Sequence, residues 1–160
     1  AETICRTLPA FVTSVALFKD ADASTVKQVI ASTTIDLLQF HGNETAAFCE
    51  QFNRPYIKAV GMEGGSDVHR FARRYASSHG LLLDSHAPGE PGGSGKTFDW
   101  HHVPRDLQQV VILAGGLTAD NVNQAITIVR PYAVDISSSV ESSPGIKDAE
   151  KIRLFMQQIG

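Results

Sequence analysis

Cysteine is scarce in this 160-residue chain, and the two present, Cys5 and Cys49, form neither a CxxC pair nor a cluster of metal-ligand spacing. That excludes a disulfide scaffold and a thiolate metal centre, and both thiols read as reduced, as in a cytoplasmic protein. Charge is thin as well. Charged residues make up 19% of the chain, with a formal net charge of -3 and a pI near 6.1. No block of Lys and Arg marks a nucleic-acid or membrane surface. No apolar run approaches the length of a membrane span. The opening AETICRTLPAF lacks the basic head and apolar stretch of a secretion signal. A small anionic ligand would have to be held locally, by backbone N–H groups and one or two cations.

Hydrophobic residues are plentiful, at 42%, enough for a real core in one domain spanning 1–160. They fall in short runs of strand length at Ser14–Phe18, Ile35–Phe40, Tyr56–Val60, Leu81–Asp84, Val110–Ala114 and Ala133–Ile136. Runs this uniformly apolar fit strands buried on both faces. Helical periodicity fills the gaps, at Ala23–Ala31, Glu44–Phe52, Val68–Ala76, Asp120–Val129 and Lys147–Gln158. Thr118 or Asp120 would cap the fourth of these. The alternation predicts an α/β fold of parallel strands with right-handed helical crossovers.

The segment 86–97 interrupts this rhythm with two prolines and four glycines, and a loop of that kind after a buried strand is functional or simply mobile. Its GEPGGSGKT run resembles a phosphate-cradling P-loop. Counting back from Gly95, however, puts Glu90 where the first glycine belongs, and Phe98-Asp99-Trp100 follows in place of an apolar helix. The nucleotide-hydrolase reading fails on both grounds.

Several residues end strands. Asp84 closes Leu81-Leu82-Leu83, at the edge where barrels and open α/β sheets collect their active sites. A half-buried carboxylate there can act as a general acid, or merely cap loop N–H groups. His41 follows Gln39-Phe40, either touching a ligand or satisfied by neighbouring backbone. Lys58 lies within a buried strand, which is costly unless it is paired or reaches a wet pocket. It is expected at the barrel mouth or as an edge charge. Gly115-Gly116 turns the chain tightly between strand and helix, so the amides beyond can bind an anion or serve only the turn. Ser137 and Ser138 end the last strand, where phosphate sites of barrels are commonly found.

Taken together, LLQFHGNE (37–44), LLLDS (81–85), GGSGKTFDW (92–100), ILAGGLTADNV (112–122) and VDISSSVESSPGIKD (134–148) resemble the phosphoribosylanthranilate isomerase family, in its order and spacing across essentially the whole chain. The resemblance implies a (β/α)8 TIM barrel, with about six of its eight βα units present here. It implies an Amadori rearrangement of N-(5-phosphoribosyl)anthranilate in tryptophan biosynthesis, by acid and base without metal or organic cofactor. By motif, the acid is Asp84 and the phosphate site is Gly115, Gly116, Ser137 and Ser138. His41, Asp135 and the loop glycines Gly92, Gly93 and Gly95, running on to Lys96, contact the substrate.

Two departures accompany it. Ser139 stands where the family often has glycine, and is harmless only if its φ stays negative. The family also begins with a strand bearing a Lys-Ile-Cys-Gly-x-Thr motif, whose cysteine is the base, and this lies upstream of the point where Ala1 aligns. Cys5 only echoes it. Arg6 replaces the glycine, and the residues up to Ser14 cannot hold a helix and a strand, so Cys5 is expected near the end of a helix. Six strands would leave two open edges, covered by another copy or by a complementing N-terminal segment. The competing readings are a catalytically incomplete half-barrel that binds a sugar phosphate or docks on a subunit, and another phosphate-binding barrel enzyme of tryptophan or histidine biosynthesis.

Overall fold

The computed structural model describes residues 2–85 and 97–159. Helix α1 (Glu2–Thr7) precedes strand β1 (Val15–Phe18). Then follow α2 (Ala23–Ser32), β2 (Leu37–Phe40), α3 (Ala46–Glu50), β3 (Tyr56–Gly61), α4 (Val68–Arg74) and β4 (Gly80–Asp84). A 3-10 turn at Trp100–His102 leads to β5 (Val110–Leu113), α5 (Val122–Val129) and β6 (Ala133–Val134). A hairpin of β7 (Glu141–Ser143) and β8 (Ile146–Lys147) comes before α6 (Ala149–Ile159). Strands β1 to β6 form one parallel sheet in which each pairs with the next in sequence. This is the strand order of a TIM-type barrel wall.

Local chemistry sets the helix starts. The carboxylates of Asp22 and Asp67 accept from the Thr25 and Arg70 N–H groups, and the Thr45 hydroxyl accepts from Phe48 N–H. Each satisfies a donor that the first helical turn leaves over. Side chains alternate across the sheet. On the helix side, Phe18, Phe40 and Tyr56 pack against Val26, Cys49, Phe52 and Tyr75, while Leu81, Leu83 and Leu113 pack against Trp100, Val122 and Phe155. On the concave side Ile57, Ala59, Leu82 and Ala114 cluster with Leu37 and Ile112, forming the floor of the barrel interior. Val15 and Leu17 of the edge strand β1 also point this way and are exposed.

The sheet follows the six expected runs, with differences at the ends. Strand β6 spans only Ala133–Val134, although the Asp135 N–H still reaches the Leu113 carbonyl. Helix α5 starts at Val122 rather than Asp120, with Asn121 rather than Thr118 or Asp120 at its N-cap. The Asn121 side chain accepts from Thr118 N–H and donates to the Gly116 carbonyl, so it fastens the preceding turn. Helix α6 starts at Ala149, not Lys147, since Lys147 belongs to the hairpin that Gly145, at φ 81°, allows.

Lys58 corrects its expectation. It lies on the helix side of β3, only 2% exposed, and is neither at the mouth nor an edge charge. Its ammonium donates to the carbonyls of Phe40, Gly42 and Ala59 and lies 3.3 Å from the Glu44 carboxylate. Burial lowers its pKa, and the charge of Glu44 opposes that shift.

Candidate active site

Alternation along β2 places Leu37, Gln39 and His41 on the concave face, and alternation along β4 does the same for Leu82 and Asp84. At the C-terminal rim the two strand ends meet, with His41 Nε2 3.4 Å from Asp84 Oδ2. Both side chains are largely but not wholly covered, at 25% and 17% exposure, so a ligand in the bowl can reach them. Asp84 is fixed along the ladder, since its carbonyl accepts from Met62 N–H at 2.7 Å. His41 is fixed likewise by its own N–H, donated to the Phe18 carbonyl at 2.7 Å.

The loop after His41 hangs from buried charge. Glu44 accepts from the N–H groups of Asp20 and Gly42, and the Asp20 carboxylate accepts from Asn43 N–H. Gly42 leaves no room for a side chain, because a Cβ there would lie 2.7 Å from the Asp20 backbone nitrogen. Asp20 itself is left-handed, with φ 52°, a conformation held by these bonds.

Gly115 follows β5 with φ 80° and lies directly against Asp84, since a Cβ there would sit 2.7 Å from Asp84 Oδ1 and would also strike Ser85. Gly116 continues the turn at φ 66°. Asp135, next along β6, donates its N–H to the Leu113 carbonyl. Asp135 is exposed to solvent. The chain packed around its carboxyl raises its pKa first, and the charge of Asp84 raises it further, against His41 and Lys147.

Lys147 reaches back from the hairpin to the carbonyl and hydroxyl of Ser137, at 2.9 and 3.2 Å, and to Glu141 at 2.8 Å. Ser138 and Ser139 continue into a 3-10 turn ending at Val140. Among the described residues, the non-glycine ones with positive φ are Phe11, Asp20, Asn53 and Arg130, so Ser139 carries no left-handed strain.

The rim thus brings together His41, Asp84, Asp135, Gly115 and Gly116, with Ser137 and Ser138 following β6. Gly92, Gly93, Gly95 and Lys96 lie outside the described residues. Cys5 lies on α1 and Cys49 is buried on α3, its thiol pushed up to about 12 chiefly by burial. Among the described residues no three His, Cys, Asp or Glu side chains are grouped to hold a metal. No described helix is long and apolar enough to cross a membrane.

Sequence reading passed over Gln39 and Lys147. Gln39 is a polar residue two before His41 on an otherwise apolar face, and strand periodicity was the available signal. Lys147 follows Pro144-Gly145, a hairpin turn signal.

The fold has counterparts among known proteins. A family model described as N-(5'-phosphoribosyl)anthranilate (PRA) isomerase matches residues 1–158. The chain belongs to the phosphoribosylanthranilate isomerase family. It is 50% identical to N-(5'-phosphoribosyl)anthranilate isomerase of Alcanivorax borkumensis, over 99% of this chain and 76% of that one. It is also 50% identical to the enzyme of that name from Pseudomonas putida, over 99% and 77%. The solved phosphoribosyl anthranilate isomerase of Thermotoga maritima superposes with a TM-score of 0.86 at 36% identity, over 98% of this chain and 77% of that one. Another solved family member, 34% identical with a TM-score of 0.83 over 98% and 75%, is in complex with reduced 1-(o-carboxyphenylamino)-1-deoxyribulose 5-phosphate. Family membership makes this chain an isomerase of tryptophan biosynthesis with a TIM-barrel-like fold.

Proposed function

We propose that the chain converts N-(5-phosphoribosyl)anthranilate into 1-(2-carboxyphenylamino)-1-deoxyribulose 5-phosphate, with Asp84 as the general acid. The observation that carries this reading is the position of Asp84 at the rim of β4, against His41 and Gly115. Asp84 protonates the ribose ring oxygen as the C1–O bond breaks, leaving an iminium at C1. A base then takes the C2 proton, giving an enolamine that is reprotonated at C1 as it tautomerises to the ketose, with no net gain or loss of atoms. Gly115, Gly116, Ser137 and Ser138 hold the phosphate through backbone N–H groups and hydroxyls, with Lys147 as a nearby cation. His41 and Asp135 contact the sugar, and Gly92, Gly93 and Gly95 approach from the following loop. The unpaired cysteines accord with a cytoplasmic setting.

The second reading is a body that binds the sugar phosphate without turning it over. Turnover of phosphoribosylanthranilate and binding of the reduced product separate the two. Asp84→Asn should lower kcat about 10²–10⁴-fold while the reduced product still binds. Full activity of Asp84→Asn would remove Asp84 from the acid role, and binding without any wild-type turnover would favour the second reading.

A further inference from the structure

His41 presents one ring nitrogen to Asp84, and the other is met by Gln39, whose Nε2 lies 3.1 Å from His41 Nδ1. An amide NH2 has hydrogens to give and no lone pair to offer a second donor. With the amide nitrogen on that side, Nδ1 accepts and is the bare nitrogen. The one proton of a neutral imidazole is then on Nε2, the nitrogen that faces Asp84 Oδ2 at 3.4 Å. We infer that Gln39 is a positioning residue, which holds His41 as the neutral Nε2–H tautomer so that Asp84 faces an N–H dipole rather than an imidazolium.

The inference rests on the proposed role of Asp84 as acid, and it explains a demand of that role. A full cation beside a carboxylate favours its ionised form and makes it a poor proton donor. A neutral N–H beside the carboxyl leaves the proton transferable. It also stabilises the carboxylate once the proton has gone to the substrate. Protonating His41 on Nδ1 would set one donor against another, so Gln39 opposes the charged ring.

The charged groups around the ring come from several elements. Asp84 reaches the ring from β4, and Asp135, beyond β6, interacts with His41, Asp84 and Lys147. Asp20 on the loop after β1 and Glu44 on the loop after His41 are held by backbone N–H groups, and Lys58 lies on the far side of the sheet against Glu44. Gln39 is only 7% exposed, beside Leu17 on β1 and Ile57 on β3. A buried amide on an apolar floor is costly unless its hydrogen bonds are used, and His41 supplies a partner.

Ring 15N spectra of His41 in the intact protein test the assignment directly, because the shifts distinguish protonated from bare nitrogens. The wild type should show bare Nδ1 and protonated Nε2 at neutral pH. Gln39→Glu offers an acceptor instead and should draw a proton to Nδ1. Gln39→Leu removes the donor and should give mixed tautomers. In both, kcat should fall about tenfold or more, KM should stay within about twofold, and the acid limb of the kcat profile should move. A merely structural role would not shift that limb.

Protonated Nδ1 in the wild type overturns the inference. So does a wild-type spectrum and pH profile retained in Gln39→Glu, the near-isosteric variant that decides the matter if Gln39→Leu does not fold. A bare Nδ1 in a wild type that fails to turn over phosphoribosylanthranilate would sink the proposed reaction and leave the tautomer assignment standing.

Discussion

The Lys58 ammonium and the Glu44 carboxylate face each other 3.3 Å apart, with 2% and 3% of their side chains exposed. The pair stands between the sheet and its helices and holds the backbone of the loop that follows His41. Removing one partner leaves a buried, uncompensated charge, and such losses cost about 3–5 kcal/mol. Lys58→Met should therefore lower unfolding stability by that amount in denaturant titration. Loss of less than about 1 kcal/mol would show that the pair contributes little beyond an apolar replacement.

Gly115→Ala should damage activity more than fold. Its φ of 80° costs an alanine about 1–3 kcal/mol, and the new methyl group would press on Asp84 and Ser85. Turnover should fall at least about tenfold, while circular dichroism keeps the wild-type spectrum. Wild-type kcat in this variant would show that the turn can move away from the acid without consequence.

Asp135 should carry a stability cost with a defined pH dependence. Its carboxyl is raised above the ordinary carboxylate value by its surroundings and by Asp84. A raised acid disfavours the folded state once ionised. The penalty is absent below the unfolded value, grows through the interval up to the raised folded value, and is complete above it. Asp135→Asn should thus raise Tm at neutral pH, lose that advantage in acid, and impair substrate binding. A lower Tm at neutral pH would contradict the assigned direction.

The outer strands present a different liability. Val15 and Leu17 are exposed on β1, as are Ile152, Leu154 and Met156 on α6. Apolar side chains beside an unpaired strand edge promote association. A polypeptide of residues 1–160 should self-associate in sedimentation experiments, and a monomer with one cooperative melt would refute this.

The strands were legible because residues buried on both faces leave short, uninterrupted apolar runs, as Leu81 to Leu83 do. Asp84, His41 and the Gly115 turn were legible because each punctuates such a run. The helix starts were less so. Thr118, Asp120 and Asn121 are all competent caps, and the Asn121 side chain is taken up locally by the Gly116 carbonyl and the Thr118 N–H rather than by the helix it precedes. Lys58 misled because composition records a charge in a strand but not the face it occupies. Its partner Glu44 is distant in sequence, so neither periodicity nor spacing reveals the pair. Gln39 was missed because its role depends on which of its amide atoms faces His41.

Each strand pairs with the one synthesised just before it. A growing chain can therefore add one strand and one helix at a time, without waiting for a distant partner. The rim behaves otherwise, because His41, Asp84 and Asp135 belong to the second, fourth and sixth strand ends. Wall growth is local and gradual, whereas chemical competence must arrive late, only when the last of these ends has been laid beside the others.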